Sequence, residues 1–595
     1  MIMTAPRVVS SRGAPGSGAA PLLATLDPEQ RAAATLPDGP AQIIAPAGSG
    51  KTTTLIARLG VLLERGVAPE RICVLTFNRD AAAELRQRIA RRLEPAVPGA
   101  VSIEARTLHA LARQVLLDAG DRVRLVADRT PVLRAARRRF ATGRPADAAP
   151  LPDVAALDGA LSAWKVEGRA PPADWLPALQ AYGTLLAMRG ALDFDDLVVR
   201  AGHLLDERKG LRRNWQARFT HVCVDEFQDV DSAQLHLLRL LAEPERNLFV
   251  VGDDDQTIYA WRLADVRRIL DFAGDYPDAR RVQLATNYRC PAAVVAASSR
   301  LIATNAERFV KRISAGRRTA TMPLSSHRIG GPRAAILAVP TAAPDWPDRI
   351  AAFVAARATG GRRACLLART RAELLPPLLA LMRAGIPHAT TVHSPLDAEV
   401  VTTLTEALRL VPRDVAPFGL LAQLRAQRGW RRADDADEVG DADHAALEAL
   451  LGWAVAFRST AAFLASFDRA RARLASLRDP SAPIELVTVH GAKGREWELV
   501  VIIGFEEDCF PNRRALVGSL DPRRALEEER RLAYVAVTRA TEQLVLAFDP
   551  AKPSRFLAEM GLAGPAAART AASRPAKSQP TPARTAPTRP TGSNA

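Results

Sequence analysis

Residues 41–54 read AQIIAPAGSGKTTT: a short apolar run, a glycine-rich turn, and Gly50-Lys51-Thr52 opening a helix. That order of strand, turn and helix places a parallel α/β sheet around this point of the chain. It also makes a phosphate cradle. Backbone N–H groups from Ala47 through Gly50 and the positive end of the helix (Thr52, Thr53) face the phosphates. Lys51 reaches the terminal phosphates, and the Thr52 hydroxyl is placed to ligate Mg²⁺. Gly48 and Gly50 let the backbone approach with no Cβ in the way.

The chain has 595 residues, nearly half of them hydrophobic, enough for several cored domains. Short apolar runs such as Ile72–Leu75, Val222–Val224, Leu248–Val251, Ala364–Leu367 and Leu499–Ile503 alternate with helical patterns, which predicts parallel sheets. Residues 106–200 and 396–480 are patterned as helix and read as insertions into two α/β cores. Residues 1–24 and 561–595 are Ala, Pro, Gly, Ser and Thr mixtures without periodicity, expected to be disordered. The acidic stretch Asp434–Asp441 reads as a solvated loop, because Val439 and Ala446 fall where a calcium loop needs ligands.

Five scattered cysteines, no secretory signal and no membrane-length apolar run lead to the expectation of a reducing, cytoplasmic setting. Cys73, Cys223 and Cys365 lie in strand-like runs, as small buried thiols do. Formal charge is +16; removing the five cations of the tail from Gly564 and Arg7 and Arg12 leaves about +9. That excess favours a polyanionic partner.

Two further strands end in chemistry. Val222–Val224 leads into Asp225-Glu226-Phe227-Gln228-Asp229. Asp225 is placed to hold Mg²⁺, directly or through water, and Glu226 to orient the attacking water. Val250-Val251 leads into Gly252-Asp253-Asp254-Asp255-Gln256, with Gln256 positioned to sense the terminal phosphate; Trp261 and Arg262 follow. Trp261 is a candidate platform for a base, since base–aromatic stacking tolerates any sequence.

Together these segments resemble superfamily 1 helicases of the UvrD/Rep/PcrA group, in order over about residues 25–550. Leu26–Gln30 is similar to the adenine-reading motif, with Gln30 on the base. Thr76-Phe77-Asn78 and Thr107-Leu108-His109 resemble segments lining the single-strand track. Leu192–Leu197 is similar to the acidic segment closing the first insertion. Asn287-Tyr288-Arg289 resembles the motif in which Tyr288 packs on adenine and Arg289 reaches the γ-phosphate. Ala384–Pro387 resembles the turn into the second insertion. Thr488–Trp497 is similar to the motif bridging nucleotide and DNA, with His490 on the track and Glu496 near the ribose. Glu529–Ala540 resembles the last motif, whose Arg539 is the second phosphate-contacting arginine.

The resemblance implies an α/β fold of two RecA-like motor domains, each with a largely helical insertion, the second reduced. The implied layout is 25–105 with 200–280, insertion 106–199, then 281–392 with 482–560, and a reduced insertion 393–481. The implied substrate is ATP with Mg²⁺, and the implied track is DNA, contacted by Phe77, Asn78, His109, Trp261, Arg262 and His490. Lys51, Asp225, Glu226, Gln256, Arg289 and Arg539 are the implied catalytic set. Arginines supplied across a cleft between two cores tie hydrolysis to closure, worth roughly 10³–10⁵ in rate. The implied activity is 3′-to-5′ translocation on single-stranded DNA with unwinding of partial duplexes, in repair or replication.

Two departures bear on the track: Asp80 stands where many relatives carry Lys, and Arg495 where Leu is usual. The short second insertion keeps open a translocase that displaces proteins and unwinds little. A nucleotide-switched DNA-binding adaptor is the reading from another class, opposed by the intact catalytic set. The basic tail lacks a compact module and is left as a candidate contact for a protein partner.

Overall fold

The computed structural model describes residues 18–141, 152–316, 325–326, 335–390, 395–427 and 441–562. Residues 1–17, the acidic stretch 434–440 and the tail from 563 lie outside the described residues. Two parallel sheets organise the chain. The first has the order β3-β2-β4-β5-β1-β6, with β1 Ala41–Ile44, β2 Ile72–Thr76, β3 Glu104–Thr107, β4 His221–Val224, β5 Leu248–Gly252 and β6 Arg280–Gln283. A two-stranded piece pairs β7 Thr286–Asn287 with β8 Ser314–Ala315. The second sheet combines β9 Ser325–Ser326, β10 Ile336–Pro340, β11 Ala364–Ala368, β12 Ala389–Thr390, β13 Ile484–Thr488, β14 Trp497–Ile503 and β15 Ala540–Phe548. Its order is β12-β13-β11-β14-β15-β10-β9.

Burial on both faces explains the apolar strands. Along β2, Cys73 and Leu75 enter one core, while Ile72 and Val74 enter the core on the opposite face. Along β14, Val500 and Ile502 pack on one side, and Leu499, Val501 and Ile503 on the other. Cys73, Cys223 and Cys365 are buried in these strands as free thiols. This is the mixed α/β fold of two RecA-like units. No helix among the described residues is long and apolar enough to cross a membrane.

Three expectations about the layout need adjustment. The N-terminal segment is not wholly irregular, because Ala20–Ala24 is helical. Pro21 suits its first turn, and Leu22 and Leu23 pack against the first core, where Gly60 leaves room for Ala19. The helices Leu108–Asp118 and Phe194–Glu207, expected within the first insertion, share the core of the first sheet. A separate core forms only among the helices between Thr130 and Met188. Finally, β6 pairs with β1, so the first sheet extends past residue 280 to Gln283.

The second insertion is helical, from Glu399–Arg409 through Thr460–Leu477, around its own cluster including Leu404, Leu447, Phe463 and Phe467.

Candidate nucleotide and nucleic-acid site

The chain passes from the first sheet to the second beside the phosphate loop. Asn287 Nδ2 donates to the Ala47 carbonyl at 2.8 Å, and the Tyr288 amide donates to the Gly48 carbonyl at 2.8 Å. Gly48 has φ 71° and Gly50 φ 83°, the left-handed region that glycine enters without strain. A Cβ on Gly48 would also meet Asn287 Oδ1 at 2.7 Å. The helix Lys51–Glu64 then points its N-terminus at the loop.

Lys51 Nζ lies 3.3 Å from the Ala45 carbonyl and 3.9 Å from Glu226 Oε2. Glu226 has φ 54°, unusual for a residue with a Cβ and costing about 1–3 kcal/mol. The Asp225 carboxylate accepts its amide, and Gln228 donates to its carboxylate. Burial first, and Glu226 second, push the Asp225 carboxyl up to about 7. Burial acts against charge on Glu226 too, but Lys51, Lys493 and Gln228 hold it below the usual carboxylate range.

Among the described residues no cluster of three or more His, Cys, Asp or Glu is arranged to hold a metal. Asp225, with no cationic ion-pair partner among the described residues, and Thr52 still fit Mg²⁺. This ion takes one or two protein ligands and completes its shell with water and phosphate oxygens.

Arg539, at 1% exposure, comes from the second core. Its guanidinium donates to the carbonyls of Val535 and Arg495 and to Gln256 Oε1 at 3.3 Å. No carboxylate pairs with it among the described residues, and burial with Arg289 nearby pulls it down to about 9. A buried cation without an anion is costly, and an incoming phosphate would supply the charge. Gln256 is itself held by Asp253 at 2.7 Å. Lys493 ties the cores together, donating to Asp229 at 2.6 Å and to the Gln256 carbonyl at 2.7 Å.

Arg289 is engaged differently. Its Nε donates to Glu496 Oε2 at 2.6 Å, so the two residues expected at γ-phosphate and ribose are joined to each other. Tyr288 is exposed and donates to Asp27 at 2.7 Å. Gln30 is buried; its amide donates to the Ser49 carbonyl at 2.8 Å, and its oxygen accepts from the Asp27 amide in a capping box. Each end keeps one further hydrogen-bonding position.

An aromatic cluster adjoins the nucleotide site. Phe77 stacks on Tyr259 at 4.7 Å, and Tyr259 meets Trp261 at 6.3 Å and His490 at 6.2 Å. Lys493 lies 5.0 Å from the Tyr259 ring centroid, so the cluster and the inter-core tie share a side chain. Trp261 is 58% exposed, with Arg262 lying over its ring at 4.7 Å. Burial and Arg369 pull His490 down to about 4, so it is neutral at neutral pH.

The other track candidates hold partners of their own outside these ring contacts. His109 packs edge-on against Phe194 at 5.3 Å, and Asn78 is exposed, with its side-chain oxygen capping the helix Arg79–Arg88. Asp80 sits in the first turn of that helix, where a negative charge suits the dipole. Arg495 pairs with Glu485 at 2.5 Å and lies over Trp497, which neutralises the departure from Leu at that position. Tyr259, Lys493 and Asn287 lay inside or beside the recognised segments, yet no role followed from sequence. The one signal for Tyr259 was its place two residues before Trp261.

Comparison with known proteins gives the same outline. The family model "UvrD/REP helicase N-terminal domain" matches residues 26–151 and 153–277, and "UvrD-like helicase C-terminal domain" matches 463–549. ATP-dependent DNA helicase UvrD2 of Mycobacterium tuberculosis (strain ATCC 25618 / H37Rv) is 30% identical, covering 90% of this chain and 82% of the relative. DNA helicase II of Escherichia coli (strain K12) is 26% identical over 91% and 88%. ATP-dependent DNA helicase PcrA of Bacillus subtilis (strain 168) is 27% identical over 88% and 83%.

Proposed function

The chain belongs to the UvrD/Rep helicase family, and from that premise we propose that it is an ATP-dependent DNA helicase. It translocates 3′-to-5′ on single-stranded DNA and unwinds partial duplexes, in the cytoplasm, in DNA repair or replication. The observation that carries the ATP-driven part is Arg539, a buried second-core cation without a carboxylate partner among the described residues, bonded to Gln256 of the first core. A triphosphate on the loop at Ala47–Thr53 supplies the missing anion; Thr52 and Asp225 would hold Mg²⁺, which would supply neutralisation of the phosphate charge. Lys51 binds the terminal phosphates. Glu226, anchored through Gln228, orients water and takes its proton. Arg539 and Arg289, the latter released from Glu496, stabilise the transferring group from the other core.

DNA runs over Phe77, Trp261, Arg262 and His490, with Asn78 and His109 further along. Tyr259 and Lys493 connect this surface to Asp229 and Gln256, so phosphate loss is felt at the track. Stacking and backbone contacts grip any sequence.

The test is steady-state ATP turnover with and without single-stranded DNA, beside Lys51→Ala. Strong stimulation lost in Lys51→Ala is expected; turnover indifferent to Lys51 would remove the reading. The compact second insertion favours a second reading, a translocase that strips proteins from DNA and unwinds poorly. Rapid displacement of a bound protein without separation of a 3′-tailed duplex would select it.

A further inference from the structure

Outside the residues that would touch nucleotide or DNA, a buried charged cluster surrounds Lys311. The side chain of this lysine is fully buried, with Nζ 2.7 Å from Asp253, 2.5 Å from Asp254 and 2.7 Å from Asp255. Arg308 forms a two-point pair with Asp255, at 2.9 and 2.8 Å, and the Phe309 amide donates to Asp254 at 2.8 Å. Three carboxylates thus face two cations. The aspartates end β5 of the first sheet, whereas the strap Asn305–Lys311 is fastened to the second core. Asn305 donates to the Glu527 carbonyl, and Arg531 donates to the Glu307 carbonyl.

Asp253 is the branch point. One carboxylate oxygen accepts from Lys311, and the other accepts from Gln256 Nε2, whose Oε1 accepts from Arg539. The Asp253 backbone amide donates to Gln228 Oε1, and Gln228 donates in turn to Glu226. The carboxylate that aims the phosphate sensor is therefore itself aimed by a lysine from the strap. A buried lysine facing three carboxylates is costly to assemble and rigid once satisfied.

We propose that Lys311 is a positioning residue for ATP hydrolysis: by clamping Asp253 it holds Gln256 toward Arg539, and so links the strap of the second core to the terminal-phosphate sensor. The inference rests on the ATPase reading above. Lys311 touches neither nucleotide nor DNA in this role.

The test uses the full chain and the charge-balanced pair Lys311→Met with Asp254→Asn, which removes the clamp while leaving the cluster's net charge unchanged. Expected is a thermal midpoint close to that of the native chain, kcat for DNA-stimulated ATP turnover lowered by about tenfold or more, and KM for ATP within about threefold. Adding Gln256→Ala should cost much in the native background and little in the pair, because both changes remove the same aimed amide. Native kcat in the pair, or a full additional loss from Gln256→Ala, overturns the proposal. Should the pair not fold, Asp253→Asn carries the same test. Its single amide oxygen cannot accept from both Lys311 and Gln256, so the link between clamp and sensor is broken, and native kcat there would be equally fatal. No turnover in the native chain would instead count against the ATPase reading itself.

Discussion

The two ends of the nucleotide site are built on opposite principles. At the phosphate end, apart from Arg289 on Glu496, charges are left wanting a ligand. Arg539 is buried with no carboxylate partner among the described residues, Asp225 is pushed up to about 7, and Lys51 stands 3.9 Å from Glu226. At the base end each group already holds a partner within the protein, Tyr288 on Asp27 and Gln30 on Ser49 and Asp27, with one further position left at each end of the Gln30 amide. Binding at the first end releases stored electrostatic cost; binding at the second exchanges one set of hydrogen bonds for another. Affinity and turnover should therefore depend on the triphosphate far more than on the base.

The largest expected effect that would break this contrast lies at Arg539. Arg539→Ala should lower DNA-stimulated turnover by about 10³-fold or more, measured at saturating ATP. Glu226→Gln should cost about 10²–10⁴ in turnover while leaving ATP binding in place, read by equilibrium nucleotide binding. Its trapped ATP state should grip single strands more tightly.

Proton competition gives the next effect. A folded-state carboxyl raised to about 7 is protonated below that pH and cannot serve a cation there. Mg²⁺-dependent ATP binding should weaken as pH falls below about 7, by up to about tenfold per unit, and the slope should flatten in Asp225→Asn. At the base end, Gln30→Ala or Tyr288→Ala should raise KM for ATP only by about tenfold or less, with kcat little changed. The smallest effect belongs to the tail. Deleting 565–595 should leave ATP turnover intact and lessen the salt dependence of DNA binding if its arginines and lysine meet phosphates.

Contiguity decides what could be read in advance. The phosphate loop, Asp225-Glu226 and Gln256 each follow a buried strand within a few residues, so local pattern carries both structure and chemistry. The helix Ala20–Ala24 escaped because five residues are too few to hold a helix alone, and Leu22 and Leu23 stabilise it by packing on the first core. The same holds for β6, whose Arg280 and Arg281 hide an edge strand behind charge. At the site, the Phe77–Tyr259 stack and the Lys311 cluster join residues from different parts of the chain, and no spacing announces them. The capping role of Asn78 and the Arg289–Glu496 pair show the complementary limit. A matching motif names a residue but not the partner it holds before ligand arrives.

Under the proposed function, a triphosphate completes a charge arrangement shared by both cores and so changes the grip on DNA. The most direct measurement is single-strand affinity with and without a non-hydrolysable ATP analogue, in the native chain and in Arg539→Ala. A nucleotide-dependent shift in the native chain that disappears in Arg539→Ala is predicted. The same shift in both would mean that Arg539 does not join the nucleotide to the track, and the claim would fall.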